Sequence, residues 1–289
     1  MKKLKQIVAD INHAHLQNIN ADKLIRSFVF YAPKMPLRLH QQNLLDEAKK
    51  FSLEVYDTYF TQTNLTINCF SWGEGENKVL LTHGWASKAA DFFELITELR
   101  KIDDVEIITF DAPGNGSSVS EFSNLMLYAK SVEAIVKNYA QPDIIIGHSL
   151  GGMANVLAIQ ETGIKPKLLI SIAPLIRLKE NFEQSLNSIN IEQNVQKIFF
   201  QNFSNEFPVS ADYFNLVDLY HSDKNPNHFL AFDPEDHISP LPYLQEFLDA
   251  NATIQSRSYE NIGHYKILKS PAVIDDIVEK IKQNLALNK

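Results

Sequence analysis

The chain has 289 residues, of which 45% are hydrophobic and 21% charged, enough to bury a large core and too apolar for a disordered protein. Its 35 acidic residues exceed 27 basic ones, giving a net charge of −8. That balance argues against a nucleic-acid partner, because phosphate binding needs concentrated Lys and Arg. The single cysteine, Cys69, excludes an internal disulfide and reads as a small buried hydrophobe in a reducing compartment.

Lys2, Lys3 and Lys5 make the N-terminus basic, but Asp10, Asn12 and His13 interrupt the apolar Ile7-Val8-Ala9 before a signal-peptide core develops. No apolar run approaches the roughly 20 residues that span a bilayer. A cytoplasmic protein with no membrane partner is expected. No repeat and no Pro/Gly/Ser linker divides the chain. The organisation expected is a mostly helical N-terminal extension over 1–52, followed by one α/β domain over 53–289. Residues 1–35 read as helical, ending at Ala32-Pro33-Lys34-Met35-Pro36, and 44–51 as a second helix. The stretches 53–60 and 65–70 are β-rich and partly alternating, as half-buried strands should be, and Gly73-Glu74-Gly75-Glu76-Asn77 makes a turn.

From Lys78 onward, short apolar runs at 79–81, 105–110, 144–146, 168–172 and 228–232 alternate with helical stretches at 89–101, 125–139, 153–161, 241–250 and 272–285. The runs suit strands buried on both faces, and the alternation predicts a doubly wound, mostly parallel α/β sheet. The interval 175–225 is too long for a simple crossover and reads as a small helical cap insertion.

The strongest chemical signal is Gly147-His148-Ser149-Leu150-Gly151, directly after the strand 144–146 and before a helix. This is the Gly-x-Ser-x-Gly pattern in its strand–turn–helix setting, where a sharp turn exposes the serine hydroxyl and small flanking residues make room. A serine hydroxyl is a poor nucleophile at neutral pH and needs a base with a group to orient it. In the order expected for such a turn, acid and then histidine follow the serine. Asp233, Glu235 and Asp236 share one loop after the strand 228–232. His264, in Asn261-Ile262-Gly263-His264-Tyr265, follows a strand-like segment at 253–259 and is preferred as base over His237, which lies too early. The tetrahedral oxyanion needs backbone donors. The amide of Leu150 is one candidate. The amide of Trp85, in His83-Gly84-Trp85 after the strand 79–81, is the other, with His83 bracing the loop.

Together these residues resemble the α/β-hydrolase superfamily over roughly 65–285. His83-Gly84-Trp85, Asp111-Ala112-Pro113-Gly114-Asn115-Gly116-Ser117, Gly147-His148-Ser149-Leu150-Gly151, Asp233-Pro234-Glu235-Asp236 and Gly263-His264 stand in family order. The resemblance implies an α/β-hydrolase fold, a structural role for Asp111 to Ser117, and Asp236 rather than Asp233 as the acid. A serine at the turn looks like the esterase and lipase branch. The function expected is hydrolysis of a small acyl or aryl ester through an acyl-enzyme on Ser149. An acyltransferase, a carbon–carbon bond hydrolase or a perhydrolase would use the same triad, and a non-catalytic receptor would use only the pocket. Phe182, Phe199, Phe200, Phe203, Phe207, Tyr213 and Phe214 in the cap hint at an apolar acyl or aryl group, or else pack the cap onto the core.

No metal or organic cofactor is expected. The nine histidines form no His-Glu-x-x-His or cysteine-bearing ligand pattern. The glycines near residue 114 fit neither the dinucleotide fingerprint nor the phosphate-loop lysine pattern.

Overall fold

Three helices precede the sheet in the computed structural model, which describes residues 2–17, 20–221 and 227–286. They are α1 (Lys2–Leu16), α2 (Asp22–Phe30) and α3 (Leu39–Asp46). Ile7, Ile11 and Ala14 bury one face of α1, and Ile25 and Val29, four apart, bury one face of α2. The helix expected over 44–51 is displaced. Its apolar start belongs to α3, and Lys49, Lys50 and Phe51 instead open strand β1 (Lys49–Tyr56), pairing antiparallel with Ser71, Phe70 and Cys69. Ladder pairing to a neighbouring strand overrides the helical propensity of Lys and Ala here.

The strand expected over 53–60 ends at Tyr56 for a local reason. The fully buried Asp57 carboxylate accepts hydrogen bonds from the backbone N–H groups of Tyr59, Phe60 and Thr61 at 3.1, 3.1 and 3.0 Å, which folds the chain into a turn.

The remaining strands are β2 (Asn64–Trp72), β3 (Asn77–Thr82), β4 (Val105–Asp111), β5 (Ile144–His148), β6 (Leu168–Ile172), β7 (His228–Phe232) and β8 (Gln255–Ser258). Among the described residues they form one eight-stranded sheet in the order β1-β2-β4-β3-β5-β6-β7-β8. β1 and β2 are antiparallel to their neighbours, and the rest run parallel. Between strands lie α4 (Phe93–Leu99, led by a 3-10 turn), α5 (Leu125–Asn138), α6 (Leu150–Thr162), α7 (Leu178–Asn187), α8 (Gln193–Glu206), α9 (Leu216–Leu219) and α10 (Leu241–Ala250), and α11 (Pro271–Ala286) follows β8. The interval 175–225 holds α7, α8 and α9, and its last residues fall outside the described ones.

Successive residues of the central strands point to opposite cores, as strand geometry requires. Leu80, Ile108, Ile145 and Leu169 join a core with α1, α2, α5, α6 and the cap. Val79, Leu81, Ile107, Ile144, Ile146 and Ile170 join another with α4 and α11. Cys69 is fully buried, and its thiol is pushed up to about 12, chiefly by burial and then by Asp111, so it stays protonated and unreactive. No helix among the described residues is long and apolar enough to cross a membrane.

Candidate active site

β5 and α6 meet at Ser149, whose backbone sits at φ 53° and ψ −122°. A residue with a Cβ is strained there, so the surroundings must hold it. They do: the Ser149 N–H donates to Ile172 O at 3.0 Å, and Ser149 O accepts from Gly152 N and Leu175 N at 3.0 and 3.1 Å. The flanking glycines are set by close approach. A Cβ on Gly147 would lie 2.5 Å from Asn155 Nδ2, and one on Gly151 would lie 2.3 Å from Thr82 O. Any side chain at either position would push β3 or α6 away from the turn.

His264 sits on the loop after β8, with Nε2 2.9 Å from Ser149 Oγ and Nδ1 2.6 Å from Asp236 Oδ2. The tautomer that fits both contacts carries its proton on Nδ1, donating to Asp236, and leaves Nε2 to accept from the serine hydroxyl. Asp236 is fixed in turn, since its Oδ1 accepts from the N–H groups of Ile238 and Ser239 at 2.8 and 3.1 Å. Burial pushes the Asp236 carboxyl up, but the hydrogen bond and charge of His264 and those two amides outweigh it and hold it below its ordinary value. Ser149, Asp236 and His264 are 6, 4 and 7% exposed, which shields their contacts from competing water.

The other candidate acids are placed differently. Glu235 is exposed. Asp233 Oδ2 accepts from Ile262 N and Gly263 N at 2.7 and 2.6 Å, and its Oδ1 from Glu235 N at 2.9 Å. It ties the acid loop to the histidine loop and leaves the imidazole to Asp236. His237 is exposed, and its carbonyl accepts from Gln184.

Two further histidines brace the site. His148 Nε2 donates to the carbonyl of His264 at 2.9 Å. Burial, then the neighbouring His264, lowers its pKa to about 3, so it remains neutral. His83 is fully buried, with Nε2 accepting from Ala112 N at 3.0 Å and Nδ1 2.7 Å from Gly84 O. Tyr128 Oη also donates to Gly84 O, at 2.9 Å. The Gly84 carbonyl is thus held on the His83 side, and across a trans peptide the Trp85 N–H points the opposite way. A Cβ on Gly84 would lie 3.1 Å from Ser149 Cβ, so this loop and the serine turn are in contact. Leu150 opens α6, where an N–H has no partner within the helix. Asp111 accepts from Ala89 N at 2.8 Å and from Ser117 N and Oγ at 2.7 Å each, a scaffold contact behind the site.

Ser149, His264, Trp85 and Leu150 open onto one cavity of about 470 Å³. Of the seven cap aromatics, only Phe182 lines it. Phe199, Phe203, Phe207 and Phe214 are buried in the core, Phe203 and Phe207 against Phe30, and Tyr213 is half exposed. Packing, not substrate contact, accounts for most of that stripe. The cavity has another wall that no motif signals: Leu4 from α1, and Phe28, Phe30 and Tyr31 from the end of α2. Their only local mark is an amphipathic helix, and long-range packing brings them to the serine. Among the described residues no group of three or more His, Cys, Asp or Glu is placed to hold a metal ion.

Comparison with known proteins places the chain among related sequences and folds. The profile of the alpha/beta hydrolase family matches residues 79–274, more than half of the chain. A protein of Mycoplasma genitalium named "Putative esterase/lipase 2" is 28% identical over 144 residues, which cover 48% of this chain and 51% of that one. The chain therefore spans about half the length of this curated relative. Among solved structures, an esterase of Pyrococcus furiosus is similar at a TM-score of 0.61 and 16% identity, covering 89% of this chain and 97% of its own. A thermophilic esterase from Thermogutta terrifontis gives 0.59 and 16%, covering 81% and 99%. At these identities the structural likeness is one of fold, and the family match is carried by the sequence. The chain belongs to the alpha/beta hydrolase family.

Proposed function

We propose that the chain hydrolyses a carboxylic ester or closely related acyl bond through an acyl-enzyme on Ser149, with His264 as base and Asp236 as its orienting acid. The observation that carries this reading is the unbroken relay from Asp236 Oδ2 through His264 to Ser149 Oγ, 2.6 and 2.9 Å long, with Ser149 and His264 lining one cavity. Ser149 Oγ attacks the ester carbonyl carbon as its proton passes to His264 Nε2. The carboxylate of Asp236, already held ionised, supports the imidazolium that forms. The amides of Leu150 and Trp85 donate to the tetrahedral oxyanion, in a buried site where such bonds are strong. Collapse breaks the bond to the alcohol oxygen, which takes the proton from His264. Water then gives a proton to the same Nε2 as it attacks the acyl-serine, and collapse returns that proton to Ser149 Oγ and releases the acid. The residues of this relay need neither a metal nor an organic cofactor for these steps.

The names of the similar proteins, two esterases and an esterase/lipase, support the ester as substrate class. The complete relay favours catalysis over a receptor role, since a receptor has no use for an oriented base. Turnover of short p-nitrophenyl esters by purified protein tests the reading. Ser149→Ala is expected to lower kcat by about 10³-fold or more. Unchanged turnover in that variant overturns it.

A further inference from the structure

The end of α2 is fastened to the catalytic core in three ways. The Phe30 carbonyl accepts from Ser123 N at 2.9 Å, directly before the Asn124 that caps α5. The Phe30 ring packs 5.1 Å from Phe60 and 6.1 Å from Phe182 of the cap. Arg26 binds Glu206 of α8 through Nε at 3.0 Å and stacks 4.6 Å from the Phe60 ring. The segment is thus clamped between core and cap, and Phe28 and Tyr31 from it, with Leu4 from α1, face the cavity that holds Ser149.

The wall is also tied to the oxyanion loop. α2 joins the start of α5, and α5 carries the Tyr128 that holds the Gly84–Trp85 loop. The leaving oxygen must lie beside His264 Nε2, which gives it the proton taken from Ser149. The α2 wall shares the cavity with Ser149, where the acyl chain must lie. Charge adds a second constraint. Among the described residues that line the cavity there is no Asp, Glu, Lys or Arg. A charged acyl tail would lose its hydration there and gain no partner of opposite charge.

Resting on the serine-hydrolase reading, we propose that α1 and α2 form the acyl-binding wall of the site and that its substrates are esters of uncharged, apolar acyl groups. Each methylene removed from water against such a wall is worth about fourfold in binding.

The experiment measures kcat/KM for p-nitrophenyl acetate, butyrate and octanoate, and for the hemisuccinate, whose acyl tail ends in a carboxylate. It uses full-length wild type, Phe28→Ala and Leu4→Ala, with fluorophosphonate labelling of Ser149 in each. Phe28→Ala is expected to lower the octanoate-to-acetate ratio about tenfold, mostly through KM, and Leu4→Ala about threefold, with Ser149 still labelled in each. If Phe28→Ala does not fold, Leu4→Ala on the more exposed α1 decides. Wild type should prefer butyrate over the hemisuccinate by about a hundredfold or more. Unchanged chain-length ratios in variants that still label overturn the acyl wall alone. Equal use of the hemisuccinate overturns the uncharged substrate class. A wild type that neither labels nor turns over any ester overturns the hydrolase reading, and the wall with it.

Discussion

The two halves of the site are built by different means. The chemical half, Ser149 with His264 and Asp236, is set by short-range constraints: a strained serine backbone, two glycines that admit no side chain, and carboxylates saturated by nearby amides. The half that faces the substrate is set by aromatic packing between segments far apart in the chain, with Phe30 of α2 against Phe60, Phe182 and Phe207. The difference teaches why mechanism is readable here from a few motifs while substrate choice is not. Chemistry needs specific atoms at specific distances, whereas an apolar wall needs only shape and volume, which many sequences supply.

The comparison breaks first at the chemical half. Asp236→Asn should keep the fold, as checked by circular dichroism, and lower kcat by about 10⁴-fold, because an amide favours the wrong imidazole tautomer. Asp233→Asn should cost only about tenfold, since Asp233 positions the loop that carries His264 and does not touch the ring. Equal losses in the two variants would mean that the acid has been assigned to the wrong residue.

The packing half should answer with stability. Phe203 stacks on Phe207 at 4.3 Å and is buried away from the cavity, so Phe203→Ala is expected to cost about 3–5 kcal/mol in urea denaturation. Its kcat on acetate should stay within a few fold of wild type. Gly151→Ala, with backbone oxygen 2.3 Å from the new Cβ, should cost roughly 3 kcal/mol and abolish labelling of Ser149. Gly163→Ala serves as its control. That residue ends α6 at φ 69° with open space around it, and only about 1 kcal/mol of backbone strain is expected.

Legibility follows the same division. The parallel strands β3 to β7 could be read because each carries a short apolar run buried on both faces, and Ser149 and His264 because their flanking glycines mark sharp turns. The choice of Asp236 over Asp233 needed the family resemblance, since both sit in one acidic loop; the hydrogen bonds then separate an acid that touches His264 from one that ties two loops. The start of β1 at Lys49 was illegible because its pairing partner, β2, decides it. The N-terminal wall was illegible for the same reason, as nothing local to Leu4 or Phe28 points to a site more than a hundred residues away.

The smallest effect at neutral pH is electrostatic. His148 and His228 are buried as neutral imidazoles, with pKa values lowered by burial to about 3 from 6.5. As the pH falls through 6.5 the unfolded chain takes up protons that the folded chain refuses until about 3, so stability is lost across that window. Asp233 and Asp236, held below the ordinary 3.8, add their loss only at lower pH, as they protonate in the folded state. His228→Gln, away from the serine, should make the fall in stability between pH 7 and 4.5 shallower by about 2 kcal/mol. An unchanged slope would mean that the buried imidazole is not what the fold resists charging.

The most direct test of the central claim is peptide mass spectrometry of the protein after reaction with a fluorophosphonate. The account predicts one adduct, on the peptide carrying Ser149, absent in Ser149→Ala and formed at least about 10³-fold more slowly in His264→Ala. An adduct on another residue, or labelling of Ser149 at an undiminished rate without His264, would contradict it.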